Sequence, residues 1–99
     1  MEEFRIRVES VVSSIPYGRV MTYGQIAAIC GQARAARIVG GIAHFGDSNL
    51  PWHRVVNKDG RLASGYPGGR LGHKEHLQAE GVMVSEYYLL DLTNYLYEP

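Results

Sequence analysis

Near the N-terminus the hydrophobic positions recur at helical spacing: Phe4, Val8, Val11, Val12 and Ile15 fall on one stripe, with mostly polar or charged residues between them. This predicts an amphipathic helix over Glu3 to Ser14, stopped before Pro16, whose ring cannot continue a helix. Tyr17-Gly18-Arg19 reads as a turn. Thr22 and Gln25 then form a Thr-x-x-Gln capping box, which predicts a short helix over Tyr23 to Cys30 with Ile26, Ala27, Ile29 and Cys30 partly buried. Gly31 supplies a residue able to end that helix in a left-handed conformation. A third helix is predicted from Gln32 to Ala43, with Ala35, Ile38, Val39 and Ile42 on one face and Arg34, Arg37, Gly41 and His44 on the other. Two short helices joined by a glycine turn, the second basic on its exposed face, have helix-turn-helix spacing; a plain helical hairpin has it too.

Beyond Ala43 the helical period fades. His44 to Pro51 has loop composition, and Val55-Val56 beside Lys58-Asp59-Gly60 predicts a short hairpin that would serve as a small wing. Ser64 to Gly72 holds four glycines and Pro67, so irregular, sharply bent backbone is expected there. His73 to Glu80 reads as a short helix ending at Gly81, followed by a tail rich in Tyr and Leu that folds back onto the body. The expected architecture is mainly α with a small β wing, a winged-helix-like arrangement in a single domain over residues 1–99.

Composition narrows the function classes. With 45% hydrophobic and 20% charged residues, the chain reads as globular rather than disordered. No apolar run approaches the roughly 20 residues of a membrane span, and Met1-Glu2-Glu3 lacks the basic start of a signal peptide, so a cytoplasmic location with no membrane partner is expected. The single cysteine, Cys30, excludes an internal disulfide and a cysteine-rich zinc cluster. His73 and His76 stand three apart on a predicted helix, but no thiol cluster accompanies them and no metal is assigned. Net charge is zero, yet it is segregated: Arg19 to Lys74 holds eight Lys/Arg against Asp47 and Asp59, while five acids and no bases follow Lys74. Such a basic middle suits a polyanion, or is chance clustering.

The segment Pro51-Trp52-His53-Arg54-Val55-Val56 resembles the Pro-Cys-His-Arg-Val reactive motif of O6-alkylguanine-DNA alkyltransferases, with tryptophan in place of the cysteine. The resemblance runs from about Phe4 to Gly81, through Ile15-Pro16-Tyr17-Gly18-Arg19-Val20, Thr22-Tyr23-Gly24-Gln25-Ile26-Ala27, Ala36-Arg37-Ile38-Val39-Gly40-Gly41, Gly65-Tyr66-Pro67-Gly68-Gly69 and Glu80-Gly81. Tryptophan in this motif marks the alkyltransferase-like branch of the family. Alkyl transfer needs a thiolate activated by a base, and indole offers no comparable nucleophile. The resemblance therefore implies no catalytic residue and no cofactor. His53 and Glu80 match the enzyme's activating relay and would be structural here.

What the resemblance implies is a helix-turn-helix that enters the minor groove of double-stranded DNA containing O6-alkylguanine, rotates the damaged nucleotide out of the stack and flags it to nucleotide excision repair proteins. Arg37 matches the arginine that fills the vacated stack, and Tyr23 matches a tyrosine that crowds the phosphate and borders the lesion pocket. Ala35 and Ala36 would let the helix approach the groove floor; Thr22 and Arg34 would contact phosphates. The pocket would be formed by Tyr23, Ala43, Pro51, Trp52, Val55, Tyr66 and Pro67, with Trp52 and Tyr66 giving π surface to the base. A monomer is expected, since no dimerisation segment is apparent. Two other readings stay open: a sequence-specific helix-turn-helix regulator, and an alkyltransferase with an atypical nucleophile, for which Cys30 is the one thiol.

Overall fold

The computed structural model describes residues 2–99. Helix α1 spans Glu2–Ser13 and buries Phe4, Val8 and Val12, one residue per turn. Burial of each such side chain contributes roughly 1.5–3 kcal/mol, which outweighs what isolated helix propensity supplies. Glu2 and Glu3 sit in the first turn, where the helix dipole favours negative charge. After the Pro16–Arg19 turn comes a two-residue strand, β1 (Met21–Thr22), and helix α2 (Tyr23–Ile29). The capping box forms as the spacing predicts: Thr22 Oγ1 accepts from the Gln25 N–H at 3.0 Å, and Gln25 Oε1 accepts from the Thr22 N–H at 3.1 Å.

Helix α3 covers Ala36–Phe45, not Gln32 to Ala43. Gly31, at φ 88°, reverses the chain, and the Gln32 N–H bonds back to the Ala27 carbonyl at 2.9 Å. Gln32 to Ala35 is thereby spent as a turn, and the helix starts four residues later. The helix lies against α2, as in a helix-turn-helix. Val39 is buried and Ile42 half-buried, but Ile38, expected in the core, is 44% exposed.

A 3-10 turn (Trp52–Arg54) leads into β2 (Val55–Val56). The expected hairpin is not what β2 forms: it pairs in parallel with β1, Met21 opposite Val55 and Thr22 opposite Val56. The Asn57–Gly60 turn that follows carries the chain to Arg61, which bridges antiparallel to Leu89. Because neighbouring strand residues point to opposite faces, this small sheet divides the core. Met21 and Val55 join α1, α2, Val39 and Trp52, while Val20 and Val56 join Leu62, Leu77, Val82, Val84 and Leu90.

Helix α4 spans Gly69–Gln78, so it begins inside the glycine-rich segment expected to be irregular. A Cβ on Gly72 would lie 2.6 Å from the Pro67 carbonyl oxygen, so this first turn closes tightly on the preceding loop only because the residue is glycine. The tail folds back as expected. Its last helix, α5 (Leu92–Tyr95), is followed by Leu96 bridging Val20 and by Tyr97 accepting from Gln25 Nε2 at 2.6 Å. Among the described residues no helix is long and apolar enough to cross a membrane.

Candidate nucleic-acid interface

Beside α3 opens a cleft of about 1320 Å³, bounded by the Asn49–Arg54 segment and by the Ala63–Pro67 loop. That exceeds the roughly 300–1,000 Å³ of a small-molecule pocket, so the space holds more than one planar group and runs out onto the surface. Tyr23, Ala36, Arg37 and Ala43 line it from the helix-turn-helix, Pro51, Trp52 and His53 from the motif, Tyr66 and Pro67 from the loop, and Glu80 from beyond α4. Residues far apart in sequence are thus gathered into one concavity. Arg37 is exposed and makes no ion pair among the described residues.

Four expected site residues stand elsewhere. Val55 has no exposed surface; its side chain belongs to the core behind the cleft, because β2 turns it toward α1 and α2. Ala35 is 6% exposed and packs in the same core, since the turn before α3 rotates it inward, so it cannot meet a groove floor. Thr22 lies half-buried at the start of α2 with its oxygen engaged as the cap, and Arg34 lies exposed in the turn before α3; neither lines the cleft. Residues the sequence reading missed include Tyr17, Asn49 and His76, all cleft-lining, and above all Arg54.

Trp52 is 8% exposed and is chiefly a core residue that shows an edge to the cleft. Its indole N–H donates to the Asp47 carbonyl at 3.2 Å, which satisfies the ring's one polar atom. Next to it, His53 Nε2 meets Glu80 Oε2 at 2.6 Å. Arg54 grips the same carboxylate, from Nε at 3.0 Å and from its terminal nitrogen at 2.7 Å, and donates its other terminal nitrogen to the Ile15 carbonyl at 2.8 Å. The Gly18 N–H adds a bond to Glu80 Oε1 at 2.9 Å. Burial by itself would raise the Glu80 carboxyl, but the bonds from Arg54, Gly18 and His53 outweigh it and hold it at about 2. The carboxylate is therefore a permanent anchor for three chain segments. Cys30 lies in the core outside the cleft, 4% exposed, and burial pushes its thiol up despite the nearby charge of Arg7. It has neither the access nor the ionisation an alkyl acceptor requires.

His73, fully buried, uses both ring nitrogens: Nδ1 accepts from the Ala63 N–H at 3.1 Å and Nε2 donates to the His53 carbonyl at 2.8 Å. It is therefore not half of a metal pair with His76, whose Nδ1 meets the Tyr66 hydroxyl. Burial, with the nearby His53 and His76, lowers His73 from 6.5 to about 4, although its bond to the His53 backbone acts the other way. The native state thus refuses a proton that the unfolded chain accepts. The stabilisation is complete above the unfolded value and is lost as pH falls from 6.5 toward 4, at most about 3 kcal/mol over that window. Urea unfolding at about pH 7.5 and about pH 5 is expected to show about 2 kcal/mol of this loss in the wild type and a smaller loss in His73→Phe. Equal losses in the two proteins would contradict the assignment.

The model of the 6-O-methylguanine DNA methyltransferase DNA-binding domain matches residues 3–82. The chain belongs to that family. Within it, the DNA base-flipping protein of Escherichia coli K12 is 44% identical over 96 residues, covering 95% of this chain and 74% of that one. Alkyltransferase-like protein 1 of Schizosaccharomyces pombe is 37% identical, covering 100% of this chain and 98% of its own. The crystal structure of that yeast protein in complex with damaged DNA containing O6-carboxymethylguanine superposes with a TM-score of 0.91 at 36% identity, covering 100% of this chain and 98% of that one. The mainly helical, winged-helix-like architecture with its small two-stranded sheet is thus that of the family's DNA-binding domain.

Proposed function

We propose that this protein binds O6-alkylguanine in double-stranded DNA, holds the flipped nucleotide in the cleft and leaves the alkyl group in place, so that the bound lesion is handed to nucleotide excision repair proteins. The observation that carries this reading is Trp52. It stands in the motif where the family's enzymes have a thiol, its indole is packed in the core with one edge to the cleft, and the His53–Glu80 pair beside it has nothing to activate. The relatives named as a base-flipping protein and an alkyltransferase-like protein, and the solved complex with damaged DNA, support it.

In this reading α3 enters the minor groove. Arg37, in its first turn and free of any ion pair among the described residues, fills the stack that the lesion vacates. Ala36 permits close approach, and Tyr23 on the rim crowds the backbone of the flipped nucleotide. Arg34 and the Thr22 hydroxyl contact phosphates and position the duplex without reading sequence. Flipping costs a few kcal/mol, less for a base whose pairing O6-alkylation has weakened. Stacking on Tyr66 offsets that by roughly 1–3 kcal/mol per base, and the exposed edge of Trp52 adds apolar contact. Ala43, Pro51 and Pro67 shape the rest of the cavity.

An incubation of excess protein with a duplex carrying one O6-methylguanine tests the absence of transfer. The intact mass of the protein is expected to stay unchanged and the lesion to be recovered in full. A protein heavier by one methylene unit, with guanine restored in the DNA, would show transfer to a side chain and overturn the reading.

A further inference from the structure

The loop facing α3 across the cleft, Ala63 to Pro67, is held to the rest of the molecule largely through one helix. Its backbone bonds from the Tyr66 N–H to the Ala63 carbonyl and from the Gly69 N–H to the Tyr66 carbonyl are local. The bonds that reach across come from α4. His73 Nδ1 takes the Ala63 N–H, and the His73 ring lies flat against Tyr66, centroids 4.5 Å apart at 14°. The Tyr66 hydroxyl meets His76, one turn further along α4. On its other side the same His73 ring donates to the His53 carbonyl, in the floor of the cleft next to Trp52. One buried imidazole thus fastens lip to floor.

We propose that His73 is a specificity-determining positioning residue: it fixes the gap between the Trp52–His53 floor and the Tyr66 lip, and so limits which O6-substituents the cleft admits. The inference rests on the lesion-binding reading above. A hydrophobic residue would fill the same volume, but it would leave the Ala63 N–H and the His53 carbonyl without their partner, and an unpaired buried group drives its segment to move until it finds water. The lip would then shift outward. The hydrogen bonds of His73 run to Ala63 and His53 and its ring stacks on Tyr66, all outside the helix-turn-helix, so the gap is expected to change while the face that meets the DNA backbone does not.

The test compares wild type, His73→Phe and His76→Ala on three duplexes carrying guanine, O6-methylguanine or O6-benzylguanine. His73→Phe keeps a ring against Tyr66 and removes both hydrogen bonds. His76→Ala changes an exposed residue, so folding is retained, and frees the Tyr66 hydroxyl. The ratio of benzyl to methyl affinity is expected to move toward benzyl by about tenfold in His73→Phe, the scale of a changed pocket contact, and by less in His76→Ala. Affinity for the guanine duplex stays within about twofold of wild type, since it reports backbone contacts. General destabilisation would instead weaken all three duplexes in step. An unchanged ratio in folded His73→Phe overturns the inference, as does an unchanged ratio in His76→Ala should His73→Phe fail to fold. Failure of the underlying reading is seen separately, in the wild type, as equal affinity for guanine and O6-methylguanine duplexes, and it takes the inference with it.

Discussion

Glu80→Ala is expected to lower the free energy of unfolding by about 2–4 kcal/mol, between an exposed pair and the roughly 3–5 kcal/mol of a fully buried one, because it removes the counter-charge of a partly buried ion pair and leaves the partner behind. The side chains of Glu80, Arg54 and His53 are only 9%, 17% and 20% exposed, so water replaces the lost carboxylate poorly. Arg54 is then left with the Ile15 carbonyl and the face of Tyr17, 5.8 Å away, as its remaining partners, and the Gly18 N–H loses its acceptor. A loss of that size is a large share of the roughly 5–15 kcal/mol that holds a typical domain folded. Glu80→Gln keeps the shape and gives up the charge, and is expected to fall between the two. Urea titration at neutral pH measures both. A change below about 1 kcal/mol for Glu80→Ala would mean that the carboxylate is solvated in solution like a surface pair.

The second large effect is expected from Trp52→Ala, a loss of about 3–5 kcal/mol, the usual cost of truncating a large aromatic in a packed core. Trp52 belongs to the buried cluster that also holds Val8, Val12, Val39 and Val55 rather than standing free in the cleft, so its removal opens a cavity beneath the site. It also leaves the Asp47 carbonyl without the indole donor. A thermal or urea melt close to wild type would show that the ring belongs to the pocket alone and contributes little to the core.

How much of this was legible in the sequence follows from how local each signal is. Thr22 and Gln25 lie three apart and form the cap their spacing predicts, and the Phe4, Val8 and Val12 stripe is buried as one face of α1. The start of α3 was misplaced because Gly31 is followed by residues with good helix propensity, and nothing local records that the Gln32 N–H returns to Ala27. Pairing of β2 was misread for a related reason. Val55-Val56 followed by Lys58-Asp59-Gly60 has the composition of a hairpin, but its partner lies more than thirty residues upstream at Met21-Thr22. Val55 and Ala35 face the core instead of the cleft for these two reasons. Arg54 was missed because its partner Glu80 is 26 residues away and only the fold brings them together. Tyr23, Arg37, Trp52 and Tyr66 were found through the family motifs, and the cleft gathers them from four separate segments.

The most direct measurement is a titration of the wild-type protein with matched duplexes carrying guanine or O6-methylguanine, followed by the fluorescence of Trp52, the only tryptophan in the chain. The expected result is tighter binding of the O6-methylguanine duplex, with a fluorescence change that the guanine duplex does not produce, because a flipped base comes to rest against the exposed edge of the indole. Equal affinity for the two duplexes, with the same fluorescence response to each, would contradict a lesion-binding cleft.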